Sequence, residues 1–479
     1  MPEGQATATA LLPAQPVRAS PPAAPAPPEP TGRRLRRALR SPALPVAATA
    51  LLLCLPGGAG DTAEGTHVTP ADVASALLVL WCAVVLLRGR RRPLALRAVV
   101  VIAAPAVAFA LATATAPDPA GALLGLVRHL QIFVLVPAAV LLLLRTRRDL
   151  RRAAAAVVTV AVVQGAVGVY QYVTATGASY RGSTVRAVGT FGPTDVMGMA
   201  TVVSYGLVLL LAVALAPPPS APRRLRPVAL GTAAALVVPL AVSFSRGSWI
   251  ATACAALVML LFTGMRRAVR SLVLLCAAAV VLVGGAGVGT DMIGERLTSI
   301  TEVTSAPDQS VTDRYAMWAA ATAMWRDNPV TGVGLKGFPD HRDSYASLAL
   351  SAGSDTAGAG VAFHVEPLLS PHNMYLLVLS EQGLAGFVLV IGGWLALLTC
   401  GVRRLRGLLG RTRRTRRTGG SAPDGADCGL AAVGLLVWQL VDFLYADIGG
   451  PSTVLTALLF GLAAWWAFAP GAVREEAPA

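Results

Sequence analysis

His372 stands in Ser370-Pro371-His372-Asn373-Met374-Tyr375, at the lip of a long apolar segment. Ser370 is a residue type that caps helices and Pro371 suits a first turn. The imidazole is therefore expected at the positive end of a helix dipole, which favours the uncharged ring. An uncharged imidazole can take a proton from an attacking hydroxyl. The plainer alternative is a histidine that merely anchors a helix end. Arg246 sits in Ser243-Phe244-Ser245-Arg246-Gly247, a very short connection between two apolar runs. Arg314 opens a helix expected over residues 314–327, capped by Asp313 and ended by Asn328-Pro329. Such arginines could stabilise an anion at a surface. Alternatively, Arg246 is an ordinary snorkelling cation, and Arg314 pairs with Asp313 or is simply solvated.

These residues depend on long hydrophobic segments for their positions. The chain has 479 residues, 55% hydrophobic and only 14% charged, with a mean hydropathy of +0.63. Twelve segments are long enough to cross a membrane: 43–60, 71–87, 94–115, 121–144, 153–173, 192–216, 228–244, 248–264, 271–289, 373–400, 429–446 and 451–469. None shows the alternation a β-barrel needs, so the expected class is an all-α polytopic membrane protein. The net charge of +15 is not spread evenly. Threading the segments with the N-terminus in the cytoplasm puts the runs Arg33–Arg40, Arg88–Arg92, Arg145–Arg152, Arg223–Arg226, Arg266–Arg270 and Arg403–Arg417 inside. Most of the 40 Lys and Arg then lie on the cytoplasmic side. This positive-inside bias puts both termini in the cytoplasm and residues 290–371 outside, and it accounts for the charge without a nucleic-acid partner.

The expected organisation is a Pro/Ala/Arg-rich disordered tail over 1–40, helices over 41–289, an extracytoplasmic loop over 290–371, and helices over 372–469. A second disordered cytoplasmic stretch is expected at 402–428, and a cytoplasmic tail at 470–479. The outer loop holds Arg296, Arg314, Arg326, Lys336 and Arg342 and contains no cysteine, so no disulfide framework supports it. In its helix, Met317, Ala321, Met324 and Trp325 recur at helical spacing, which suits a face lying in the membrane interface. Gly332-Val333-Gly334-Leu335-Lys336-Gly337 matches a dinucleotide-binding spacing, but no strand precedes it and a tight turn is the better reading. Asp340-His341-Arg342-Asp343 is a weak metal candidate, and no zinc-type Cys/His spacing or nucleophile elbow occurs.

Three motif groups on the expected outer side carry a resemblance. Gly189-Thr190-Phe191-Gly192 precedes a helix, and Ser245-Arg246-Gly247 joins two helices. Arg314…Trp318 leads to Asn328-Pro329…Gly332…Gly334, and His372-Asn373-Met374-Tyr375-Leu376 is followed by Glu381…Gly383…Gly386. In order and in loop position, residues from about 189 to 386 resemble the O-antigen ligase and O-antigen polymerase family of polysaccharide biosynthesis. Asp195 departs from that pattern, which often has Asn there.

The resemblance implies a GT-C-like glycosyltransferase acting on the outer face of the cytoplasmic membrane, in building the cell envelope or an exopolysaccharide. Its donor would be an oligosaccharide on a polyprenyl diphosphate such as undecaprenyl diphosphate, and its acceptor a glycan or lipid-glycan. No metal or other cofactor is implied. Under this reading Arg246 and Arg314 bind the leaving diphosphate and His372 is the general base. Arg181, Arg186, Asp195, Lys336 and Asn373 are candidate substrate contacts, with Lys336 facing glycan or lipid headgroups. Glu381 lies nine residues beyond His372, about 13 Å along a helix, where an ionisable group is costly unless paired. Arg128, His129 and Asp442 are its candidate partners, and a place near the lipid diphosphate is its second reading. The competing class is a transporter or flippase, which would have broken helices and charged pairs at mid-membrane.

Overall fold

The structure, a computed structural model, describes residues 41–55, 69–89, 94–180, 183–264, 309–347, 350, 354–356, 364–366, 368–417, 424–450 and 452–470. The expected segment 271–289, the tail 1–40 and Arg181 lie outside the described residues. In chain order the helices are α1 (Leu44–Leu51, extended by a 3-10 turn to Cys54), α2 (Pro70–Arg88), α3 (Leu96–Ala114), α4 (Pro119–Leu143), α5 (Arg147–Val173), α6 (Gly198–Leu215), α7 (Leu225–Val242) and α8 (Arg246–Thr263). They continue as α9 (Gln309–Asp327), α10 (Phe338–Tyr345), α11 (Met374–Arg417), α12 (Ala426–Asp442) and α13 (Thr453–Phe468). Two small antiparallel hairpins interrupt them. β1 (Ala178–Tyr180) pairs with β2 (Ser183–Arg186), and β3 (Ser354–Thr356) pairs with β4 (His364–Glu366).

Among the described residues, eight helices are long and apolar enough to cross a membrane: α2 to α8 and α11. The shorter α1, α12 and α13 fall on the expected first, eleventh and twelfth segments. Capping boxes start α2 and α5: Thr69 with Asp72, and Thr146 with Asp149. Large apolar side chains face outward on the peripheral helices, among them Leu77, Leu80 and Trp81 on α2 and Val99 and Val100 on α3. An outward surface of this kind has lipid as its natural solvent, so the chain is a multi-pass membrane protein. The buried centre is built from α6, α12 and α13, where Trp438, Trp465 and Trp466 are fully enclosed. Each indole N–H finds an acceptor: Thr252 Oγ1 at 2.9 Å, the Leu144 carbonyl at 2.9 Å and the Gly401 carbonyl at 3.1 Å, respectively.

The two ends of this bundle differ. At one end the arginine runs are fixed by ion pairs. Arg151 forks onto Asp427 and Asp424, and Arg147 approaches Asp424 at 3.6 Å. Arg404 donates to the Trp466 and Ala469 carbonyls at 2.7 and 2.6 Å, closing the C-terminal end of α13. α11 continues through the arginine run to Arg417, so most of the stretch expected to be irregular from 402 is helical. The other end carries the sequence motifs. The sixth span begins at Gly198 rather than 192, because Gly189–Asp195 forms a 3-10 segment instead.

Candidate active site

At the motif end the connection between α12 and α13, residues 443–452, is the common docking surface. Met374 N–H donates to the Phe443 carbonyl at 2.9 Å, and the Asn373 side-chain amide donates to the Leu444 carbonyl at 3.1 Å. Gly247, beside Arg246, lies against Tyr445, where an added Cβ would come within 3.1 Å of the Tyr445 Cβ. Asp195 accepts the Ser452 N–H at 2.9 Å. The His372, Arg246 and Gly189–Asp195 segments therefore all dock on one short piece of chain.

His372 is half-buried and adopts φ +47, the left-handed region that side chains other than glycine rarely enter. Its N–H is 3.4 Å from the Ser370 hydroxyl. Ser370 does not cap α11. Asn373 does, its Oδ1 accepting the Tyr375 and Leu376 N–H groups at 3.1 Å each, and the helix proper starts at Met374. Asn373 is thus a cap and a tether. Tyr375 likewise binds protein, donating to the Leu440 carbonyl at 2.6 Å. Among the described residues four non-glycine positions have positive φ: Ala175, Phe244, Lys336 and His372. All four lie at the motif end, and the last three fall inside the motif or outer-loop segments. Backbone strain of this kind costs about 1–3 kcal/mol each and persists where surrounding contacts over-determine the chain.

Arg246 is the first residue of α8. Ser245 caps that helix, facing the Ser248 N–H at 3.4 Å and bonding the Ser248 hydroxyl at 2.9 Å. Arg186, at the end of β2, donates through Nε to the Ser243 carbonyl at 3.0 Å, so it ties the hairpin to the turn that presents Arg246. Two buried glutamines about two turns apart on one face of α5 hold the Gly189 element. Gln171 accepts the Val188 and Gly189 N–H groups at 3.1 and 2.9 Å, and Gln164 accepts the Thr190 N–H at 2.9 Å. Polar residues seven apart in an otherwise apolar run were the available sequence signal for this support.

Arg314 lies on α9, which begins at Gln309. Asp313 is therefore inside the helix and buried, not its cap. Met317, Ala320, Ala321 and Met324 are buried in the protein core, so this face packs on protein rather than resting in the membrane interface. One turn after Arg314, the Trp318 indole N–H donates to the Pro371 carbonyl at 2.9 Å, directly before His372.

Glu381 is buried, but its partners are not those expected. Arg128 pairs with Asp72, and His129 turns Nδ1 to the Gly125 carbonyl at 2.8 Å. The Glu381 carboxylate instead accepts the Phe338 N–H at 3.3 Å, from the turn that contains Lys336. His341 Nδ1 faces the Gly337 carbonyl at 2.8 Å, and Arg342 binds Asp343, so internal contacts engage these two residues of the weak metal candidate. Lys336 has an exposed side chain at φ +64.

Beside the docking connection lies a cavity of about 60 Å³ lined by Asp195, Gln439, Asp442, Asp447, Thr453 and Thr456. Burial pushes the Asp195 carboxyl up to about 6, against hydrogen bonds from Ser452 and Gly198 that favour its ionised form. The 443–452 connection and its Asp447 were missed as part of the site. Their signal was a run of Asp, Tyr and Gly where two apolar helices need only a tight turn.

Comparison with the curated proteins finds no match. A family model described as O-Antigen ligase matches residues 230–391, from α7 through the first turns of α11 and beyond Gly386. It contains Arg246, Arg314, Lys336, His372 and Glu381, while the Gly189 element lies upstream of it. That match supports the assignment of the chain to the O-antigen ligase and O-antigen polymerase family.

Proposed function

We propose that the chain transfers a polyprenyl-diphosphate-linked glycan to an acceptor glycan at the extracytoplasmic face of the cytoplasmic membrane. Membrane glycan ligation or polymerisation is what the O-antigen ligase match implies. The observation that carries the finer reading is the docking of the His372, Arg246 and Gly189–Asp195 segments on one connection, with Trp318 joining the Arg314 helix to Pro371. The arginine-rich end faces the cytoplasm under the positive-inside bias, which leaves the motif end outside.

In this reading an acceptor hydroxyl attacks the anomeric carbon of the donor. The new carbon–oxygen bond forms on the face opposite the leaving group, so the configuration inverts. The bond to the diphosphate breaks, its electron pair staying on the diphosphate, and the hydroxyl proton passes to His372. Arg246 and Arg314 hold the departing diphosphate by charge-assisted hydrogen bonds. Arg186 sets the Arg246 turn, and Arg181 and Lys336 are left for glycan or headgroup contact.

The transport reading gains one observation, a helix broken at Gly383. The backbone groups freed at that break are bound by the outer loop and are not open to a solute. Purified protein given a polyprenyl-diphosphate oligosaccharide is expected to lengthen or transfer the glycan, and His372→Ala and Arg246→Ala are expected to abolish this. Unchanged product from both variants overturns the site. Lipid scrambling without any new glycosidic bond would favour transport.

A further inference from the structure

α11 consists of two helical pieces joined across Gly383, which has φ +61 and ψ −165. A break inside an apolar helix frees carbonyl and N–H groups that must find partners. Here the outer loop supplies them. Val333 and Gly334 donate to the Ser380 and Glu381 carbonyls at 2.9 and 3.0 Å. In return, Leu384 and Ala385 donate to the Pro329 and Val330 carbonyls at 2.8 and 3.1 Å. The loop follows the backbone so closely that a Cβ on Gly332 would lie 2.5 Å from Gln382 N, and one on Gly383 would lie 2.5 Å from Thr331 N. Both glycines also have positive φ, which a side chain would resist.

The Glu381 side chain completes the junction. Its carboxylate takes the Phe338 N–H, and the Lys336 N–H and the Lys336 charge act on it as well. The same turn is sewn to the α3–α4 corner. Leu335 N–H donates to the Ala112 carbonyl at 3.0 Å, and the Leu335 side chain packs with Ala112 and Ala122. The Arg314 helix leads straight into this loop, and His372 heads the helix that is broken. α9 is therefore fastened to α11 at two places, Trp318 on Pro371 and residues 329–334 on residues 380–385, with Met317, Ala321 and Met324 packed between.

We propose that Glu381 is a positioning residue: with the broken turn at Gly383 it latches the outer loop into α11 and fixes the Arg314 helix relative to His372. The part of this that concerns catalysis rests on the glycosyl-transfer reading, whereas the latch itself does not. A carboxylate that contacts donor or acceptor would act through binding, and a latch acts through alignment of the reacting groups.

The test separates these. Glu381→Gln keeps an oxygen for the Phe338 N–H and is expected to hold kcat within about threefold of wild type, whereas Glu381→Ala lowers kcat by about tenfold to a hundredfold with KM little changed. Gly332→Ala should resemble Glu381→Ala. Independently of any activity, hydrogen exchange on wild-type protein in lipid nanodiscs should find the amides of Val333, Gly334, Leu384 and Ala385 as protected as those of neighbouring helices. Exchange at loop rates there overturns the latch even if no glycan transfer is ever detected. A raised KM in Glu381→Ala that Glu381→Gln does not rescue overturns the positioning role and makes Glu381 a substrate contact. Protection without any glycan transfer would retain the latch and remove the function proposed above.

Discussion

The indole N–H of Trp318 donates to the carbonyl of Pro371 at 2.9 Å, one residue before His372. Arg314 stands one turn earlier on the same helix, so this bond links the arginine and histidine to which separate roles are given. Trp318→Phe keeps an aromatic ring against Tyr315, whose ring centroid lies 5.7 Å away, and removes the donor. It is expected to cost about 1 kcal/mol of stability and to lower turnover severalfold. Thermal unfolding and turnover measured on the same preparation check this, and unaltered turnover would show that the bond is only structural.

Asp195 carries a carboxyl pushed up to about 6 by burial, from an ordinary value of 3.8. Because the folded value is the higher one, its contribution to stability is full below about pH 3.8 and is lost as pH rises through about 6. Asp195→Asn cannot ionise and still offers an oxygen to the Ser452 N–H. It should flatten the stability profile between about pH 4 and 7. A variant whose melting temperature falls with pH as steeply as wild type would contradict the assignment.

The two glutamines of α5 each hold three groups. Gln171→Leu orphans the N–H groups of Val188 and Gly189 and the Gly189 carbonyl, and Gln164→Leu orphans the Thr190 N–H and removes the donor to the Thr190 hydroxyl and the Leu53 carbonyl. At about 1–3 kcal/mol for each orphaned group, both are expected to be strongly destabilising. Urea or thermal unfolding of the pair in detergent checks this, and a cost below about 1 kcal/mol for either would be evidence against this account of the Gly189 element.

Arg151 lies at the other end of the bundle and forks onto Asp427, whose side chain is only 4% exposed. Arg151→Ala leaves that carboxylate without its partner and is expected to cost roughly 1–3 kcal/mol, discounted because Arg151 and Asp424 are partly solvated. Turnover per folded molecule should stay at the wild-type value. A loss of turnover in protein shown to be folded would mean that the two ends communicate.

Eight of the twelve expected segments are long apolar helices among the described residues, and they were legible because each is a local property of about twenty residues. The motif segments were legible for the same reason. What failed depended on distant partners. Ser370 and Asn373 are both good caps, and only the Leu444 carbonyl, in the distant 443–452 connection, decides between them. Met317 and Met324 have the spacing of an interfacial helix, but they are buried in the protein core. Glu381 invited Arg128, His129 or Asp442 as a partner, and the turn around Lys336 met it instead, with backbone N–H groups and the Lys336 charge. The glycine pattern at 332–337 carried the answer to that, because its positive-φ glycines open the way for the close approach.

The connection at 443–452 follows, in chain order, every segment that docks on it. His372, Arg246 and the Gly189 element can each enter the membrane with their helices, but they acquire their common support only after residue 452 has been synthesised. Assembly of the motif end is therefore expected to be a late event of biogenesis, because its three segments share a support that lies near the end of the chain.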